Sequence, residues 1–496
     1  MGPVPIEAAA PEPPINVILW FDTEDYLLPA DDDATLRLTR MLSERGIRAT
    51  FKLVGEKARV LEKRGRNDVI AGLKKHDIGY HSDFHSVHPT PSEYLAGCGL
   101  LDGIAEFVRR EKAGAADVRR ILGVSALACY GQPGSSWGAQ TIAALPAIGV
   151  APRGVPCYVD EGNHIGLDNK PFWFENAIVV YHMGPNYTRM DLHEAGAVEP
   201  ALKKVNEIAD RLRAEGGGLI SIFYHPCEWV HKEFWDGVNF RRGANPPRAE
   251  WKPPGQLPAQ ETEEAFGRFG QYIDGIRKVS GVRFVTASDL PVLYPDAIRG
   301  GVSKAELLEM ARKIAARPGE VSFMEIGGKP VSAAEQFDLL CEALRQQAGT
   351  AYPLKPRQLL GPASEPTVPA GSGLKSLNRA ELAAAVADTA SFLEAEGRVP
   401  SQVYIGSTAV SPADFLIAMA GAWAQENGGG QVPDLVALGQ GANLAPAKYV
   451  AKDTPKVFGE WVIHKEGFQA PKILEVARLQ TWTLKPAVLE KKPVSF

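Results

Sequence analysis

His81 and His85 stand four residues apart in the stretch Gly79-Tyr-His-Ser-Asp-Phe-His-Ser-Val-His88. That spacing can turn two imidazoles toward one point from a single helical turn or a tight loop. Neutral imidazole suits zinc and its first-row neighbours, and two His with one carboxylate leave positions open for water and substrate. The same spacing also arises by chance in solvated loops, so the pair needs further groups to acquire meaning. Ser82 stands where helical zinc peptidases carry their Glu, which sets that chemistry aside. Asp22-Thr-Glu-Asp25 supplies carboxylates at the end of one apolar run, and His225-Pro-Cys-Glu228 closes another.

The elements that must carry these groups are legible as an alternation. Val17 to Phe21 is a continuous apolar run, as in a parallel strand covered on both faces, and it delivers Asp22, Glu24 and Asp25 at its C-terminal end. Helical spacing from Asp32 to Glu44 closes at Gly46. Ala49 to Val54 reads as the second strand and Asp68 to Lys75 as a helix, and Asp77 to Tyr80 leads into the His pair. Further strands are predicted at Leu127 to Tyr130, Ala177 to Tyr181, Leu219 to Tyr224 and Val282 to Thr286, with helices at Pro200 to Glu215 and Thr262 to Val279. Such alternation predicts an α/β parallel sheet or barrel. Chemistry in barrels sits at the C-terminal strand ends, where Asp22, His81 and His225 all fall.

The chain has 496 residues, enough for two or three domains. Its 54 basic against 59 acidic residues, with no long basic block, argue against nucleic acid or an anionic membrane as partner. No apolar run approaches the roughly 20 residues of a membrane span. Five cysteines without a CxxC pair read as small buried hydrophobes. Residues 1–14, rich in Pro and Ala, are expected to be disordered and lack the features of a signal peptide. An exported location follows if a signal was trimmed, a cytoplasmic one otherwise.

Near residue 300 the character changes. Residues 301–347 and 376–425 share an order of helix, Ile-Gly turn, Val-Ser and apolar helix, aligning Glu306 with Glu381 and Ser332 with Ser411. This predicts an α-rich region containing a duplicated unit of roughly 45 residues, joined by a Pro- and Gly-rich linker at 348–375. In the extension 426–496, Val457 to Ile463 carries a strand signal and Ala470 to Leu479 a helical one.

Residues 17 to about 295 resemble the polysaccharide deacetylase (NodB-homology) superfamily, carbohydrate esterase family 4 and its relatives. The resemblance rests on four ordered motifs: Phe21-Asp-Thr-Glu-Asp-Tyr26, Arg48-Ala-Thr-Phe-Lys-Leu-Val-Gly55, His81-Ser-Asp-Phe-His85 and His225-Pro-Cys-Glu228. It implies a distorted (β/α) barrel of about seven strands over residues 15–300. It implies a hydrolase removing N-acetyl or O-acetyl groups from a polysaccharide or cell-wall saccharide, with a divalent metal on His81, His85 and one carboxylate. Zinc is the first choice, with cobalt, nickel or manganese as alternatives. Asp22 would be the base and His225 the acid. Either Glu24 or Asp25 completes the metal set: Glu24 if the strand continues its alternation, Asp25 if the chain turns.

One departure stands out. The family's third motif offers Arg-x-Pro, its Arg steadying the base, whereas Gly131 occupies that place in Tyr130-Gly-Gln-Pro-Gly134. Arg153 or Arg189 could substitute from another loop. The departure keeps two further functions open, hydrolysis of a small non-sugar amide and a carbohydrate-binding barrel with weakened turnover. Trp137, Trp173, Trp229 and Trp235 either stack on sugar rings at the mouth or cap a core. The duplicated unit faintly resembles pseudomurein-type cell-wall-binding repeats.

Overall fold

The computed structural model describes residues 12–346, 349–355, 357–367 and 373–490; most of the expected disordered segment 1–14 therefore lies outside the described residues, as does part of the linker at 348–375. Its organising element is β1 (Ile15–Thr23), buried at every position, as its continuous apolar run predicts. β2 (Thr50–Leu53), β3 (Asp77–Tyr80), β4 (Cys157–Val159), β5 (Phe172–Phe174), β6 (Ala177–Val180), β7 (Gly218–Tyr224) and β8 (Val282–Val285) follow in chain order.

β1 pairs in parallel with β7 along Ile15–Phe21, with β8 along Ile15–Ile18, and with β2 along Trp20–Thr23. β2 in turn pairs with β3. Single bridges Tyr80–Tyr130 and Tyr130–Tyr158 carry the sheet to β4, which pairs with β6; a bridge at Tyr187–Ser221 leads back to β7. The strand expected at Leu127–Tyr130 is thus reduced to bridge contacts. The α/β parallel architecture with strands around a common core is what the chain adopts.

Helices clothe this sheet because each has one apolar stripe. Leu100–Leu122 buries Phe107, Val118 and Leu122 and ends at Gly123, whose φ of +66° places it in the left-handed region that favours glycine. Pro29–Glu44, Val198–Ala214 and Ala259–Ile276 do the same elsewhere, within two or three residues of the expected limits. Inside, Phe21 stacks on Phe51 with ring centroids 4.7 Å apart, a contact worth about 1 kcal/mol beyond area burial.

A second core gathers residues between Ile298 and Leu438, joined by Trp482. Within it a capped helix, a two-stranded hairpin and another helix follow one another twice: Lys304–Ala315, Met324–Val331 and Ala333–Gln346, then Arg379–Glu396, Val403–Val410 and Pro412–Asn427. The first helix of each set begins at a reciprocal cap, Ser303 with Glu306 and Asn378 with Glu381.

The strand expected at Val457–Ile463 is not formed. Pro455 opens a short helix, Pro455–Gly459, whose Val457 and Phe458 bury into the barrel's own core beside Ile473 and Leu474 of the helix Pro471–Gln480. With no strand alongside, an apolar run of this length takes its order from packing instead.

Candidate active site

The C-terminal ends of β1, β3, β4 and β7 meet over one pocket. β1 ends at Thr23, and Asp22 and Glu24 both turn into the pocket, as strand alternation requires. The segment after β3 turns sharply: Ser82 and His85 adopt φ of +64° and +58°, and this tight loop swings His85 back beside His81, ring centroids 4.9 Å apart.

Glu24 Oε2 lies 2.9 Å from His85 Nε2 and 3.4 Å from His81 Nε2. The opposite nitrogens define the tautomers. His81 Nδ1 is 3.0 Å from the Gly131 carbonyl, which can only accept, so Nδ1 carries the proton. His85 Nδ1 donates to Ser86 Oγ at 2.5 Å, and Ser86 hydroxyl donates to Asp236 Oδ2 at 3.4 Å. Both Nε2 lone pairs therefore face the carboxylate. His85 Nε2 is buried and, despite its short distance to Glu24, makes no hydrogen bond of acceptable geometry. Acceptors converging on one point fit a divalent cation, and hydrogen bonds from the outer nitrogens are the usual support for metal-bound His.

Burial would lower His225, but Glu228 and Glu24 outweigh it and raise it to about 9. His225 stands across the pocket, Nε2 3.7 Å from Asp22 Oδ2 and 4.0 Å from Glu24 Oε2. Glu228 accepts from its Nδ1 at 2.8 Å and is itself paired with Arg189. Arg189 therefore serves the His225 side rather than Asp22.

Asp25 is turned away. Its Oδ1 accepts from the Leu27 amide at 2.8 Å and its Oδ2 faces His231 Nδ1 at 3.0 Å. This corrects the expectation that Asp25 could join the metal set: side chains go on alternating past Thr23, which keeps Glu24 on the Asp22 face and sends Asp25 to the opposite one, behind the pocket. His88 lies outside the pocket, against Glu93 at 2.7 Å. Trp137, Trp229 and Trp235 are fully buried and Trp173 nearly so; all four cap cores and none is free to stack on a sugar.

The cation missing at Gly131 comes from an unexpected element. Lys52, at an inward position of β2, places Nζ 2.8 Å from Asp22 Oδ1, 3.0 Å from Asp160 Oδ2 and 2.9 Å from the Val159 carbonyl. A Cβ on Gly131 would overlap that Nζ, so lysine at 52 in this pose requires glycine at 131. Asp22, His81 and Asp160 also form a cluster of metal-ligand types, but the ammonium already stands between the two carboxylates. Asp160, Glu161, Asp236, Phe223, Phe234 and Trp461 line the pocket unannounced by any motif; a lysine inside an apolar strand was the one readable signal.

Fold and site together define a class: a parallel α/β protein with a carboxylate–imidazole centre at its strand ends, flanked by one carboxylate and one further imidazole. No family model matches the chain, and no curated protein does. Among solved structures the chain is similar to a family 4 carbohydrate esterase from Streptomyces lividans, at 14% identity over 55% of this chain and 92% of that one, TM-score 0.28. It is also similar to the Xyl-CE4 domain of a multidomain xylanase from the hindgut metagenome of Trinervitermes trinervoides (13%, 56% and 90%, TM-score 0.30). A Puue allantoinase is similar at 12% identity over 58% of this chain and 96% of that one, TM-score 0.35.

Proposed function

We propose that this protein is a metal-dependent amide hydrolase that removes the acetyl group from the nitrogen of an N-acetylated saccharide. The observation that supports it most is the convergence of Glu24, His81 and His85 with Asp22 and His225 on adjoining sides of one pocket. Glu24, His81 and His85 would hold the cation, and an N₂O set with open positions suits zinc. Bound there, the cation supplies Lewis acidity that polarises a carbonyl and acidifies water.

The chain's own groups do the rest. Water adds to the amide carbonyl carbon as Asp22 takes its proton. Lys52, paired with Asp22, keeps that carboxylate oriented into the pocket. The C–N bond then breaks as His225 gives its Nε2 proton to the departing nitrogen, while Glu228 retains Nδ1. Acetate and a free amine result.

Acetate release from N-acetylated oligosaccharides, with and without chelator, tests the reading. Chelator-sensitive release is expected; no release from any saccharide by metal-loaded protein would overturn it. Among the described residues no helix is long and apolar enough to cross a membrane.

A further inference from the structure

The extension after residue 450 lines the His85 side of the pocket through Trp461 and Val462. Phe458 and Ile463 are fully buried and anchor a strap between them. On one rim, Ser135 Oγ donates to the Phe458 carbonyl at 2.8 Å, and His464 Nε2 lies 3.2 Å from Thr90 Oγ1. On the other rim, the amides of Arg242 and Gly243 donate to the Val462 and Ile463 carbonyls at 2.9 and 2.7 Å. Between these moorings Trp461 lies against Gly134, where a Cβ would overlap the indole. Its Nε1 donates to Asp236 Oδ2 at 3.0 Å, and its ring meets His85 edge-on with centroids 5.4 Å apart.

The opposite end is different. Phe223 and Phe234 flank His225, centroids 5.7 and 4.9 Å from its ring, and Phe234 is 38% exposed. The cavity, about 740 Å³, thus has an aromatic flank beside His225 and the Trp461 indole across its His85 side. That volume suits a small ligand or a few sugar units. A polymer lying across the centre needs two exits, and the indole removes one.

Resting on the deacetylase reading above, we propose that Trp461 makes the enzyme act on the terminal unit of its saccharide. The end unit's acetamido group reaches the centre against Trp461, and any further units leave over Phe234. The specificity is that of a chain-end or short-oligosaccharide deacetylase, distinct from one working along a polymer.

Fully N-acetylated chitooligosaccharides from dimer to hexamer, incubated with the metal-loaded full chain and sequenced by mass spectrometry, test this. Loss of a single acetyl, always from an end unit and independent of length, is the expected pattern. Acetyl loss from internal units of the hexamer by the unaltered protein overturns the inference while leaving the deacetylase reading standing. Loss from no oligomer, nor from any other N-acetylated saccharide, overturns both. Trp461→Ala should open the second exit, so that internal loss appears in the hexamer; a folded, active variant that still removes one terminal acetyl only would show that the indole is not the barrier.

Discussion

Lys52 Nζ lies 2.8 Å from Asp22 Oδ1, and the backbone of Gly131 leaves the space it occupies. A cation expected from a loop comes instead from the middle of a strand. Lys52 is fully buried, and its own ammonium is held charged: burial works to lower it, but Asp160 and Asp22 raise it.

Lys52→Met should leave two buried carboxylates without the cation they share, costing about 3–5 kcal/mol of stability and most of kcat. The informative variant is a swap. Gly131→Arg alone should clash with Lys52 and lose activity, whereas Lys52→Ala combined with Gly131→Arg should recover activity well above either single change. Steady-state kinetics on the three variants checks this. A double variant no better than Lys52→Ala would mean the site needs lysine for something other than its charge beside Asp22.

Glu24 and Asp25 should separate cleanly. Glu24→Gln removes the carboxylate between the imidazoles and should abolish stoichiometric metal binding. Asp25→Asn lies behind the pocket and should keep the metal while losing about 1–3 kcal/mol, measured by denaturant unfolding. Metal loss in Asp25→Asn with retention in Glu24→Gln would reverse the assignment.

These two pairs also mark how far the sequence could be read. Strand ends and the His motifs announced themselves, because a continuous apolar run demands burial and two imidazoles beside a strand end share one target. Glu24 against Asp25 turned on whether the alternation of β1 carries on past its end, and in the folded chain it does so through both residues. Lys52, Asp160 and Trp461 were invisible as a set, since nothing in their spacing links positions that only the folded sheet and the returning extension bring together. Val457–Ile463 misled for the same reason: its apolar residues serve a core made by distant elements.

Stability should depend on acid through His164. The ring is fully buried, stacked on Trp137 at 5.2 Å, with Nδ1 2.6 Å from the Tyr181 hydroxyl. Burial, with His464 nearby, pushes it down to about 3, against 6.5 in the unfolded chain. The unfolded state binds the extra proton between these values, so stability present above pH 6.5 is lost as pH falls through that window. Thermal unfolding between about pH 7 and 5 should show a steeper decline in Tm for the natural chain than for His164→Phe. Parallel slopes would assign the acid sensitivity to other groups.

The most direct test of the central claim is the metal content of the purified protein after dialysis against zinc, beside His81→Ala and His85→Ala prepared in parallel. About one equivalent in the natural chain, falling to background in both variants, is the predicted result. Metal-free protein, or an equivalent retained when either imidazole is gone, would contradict it.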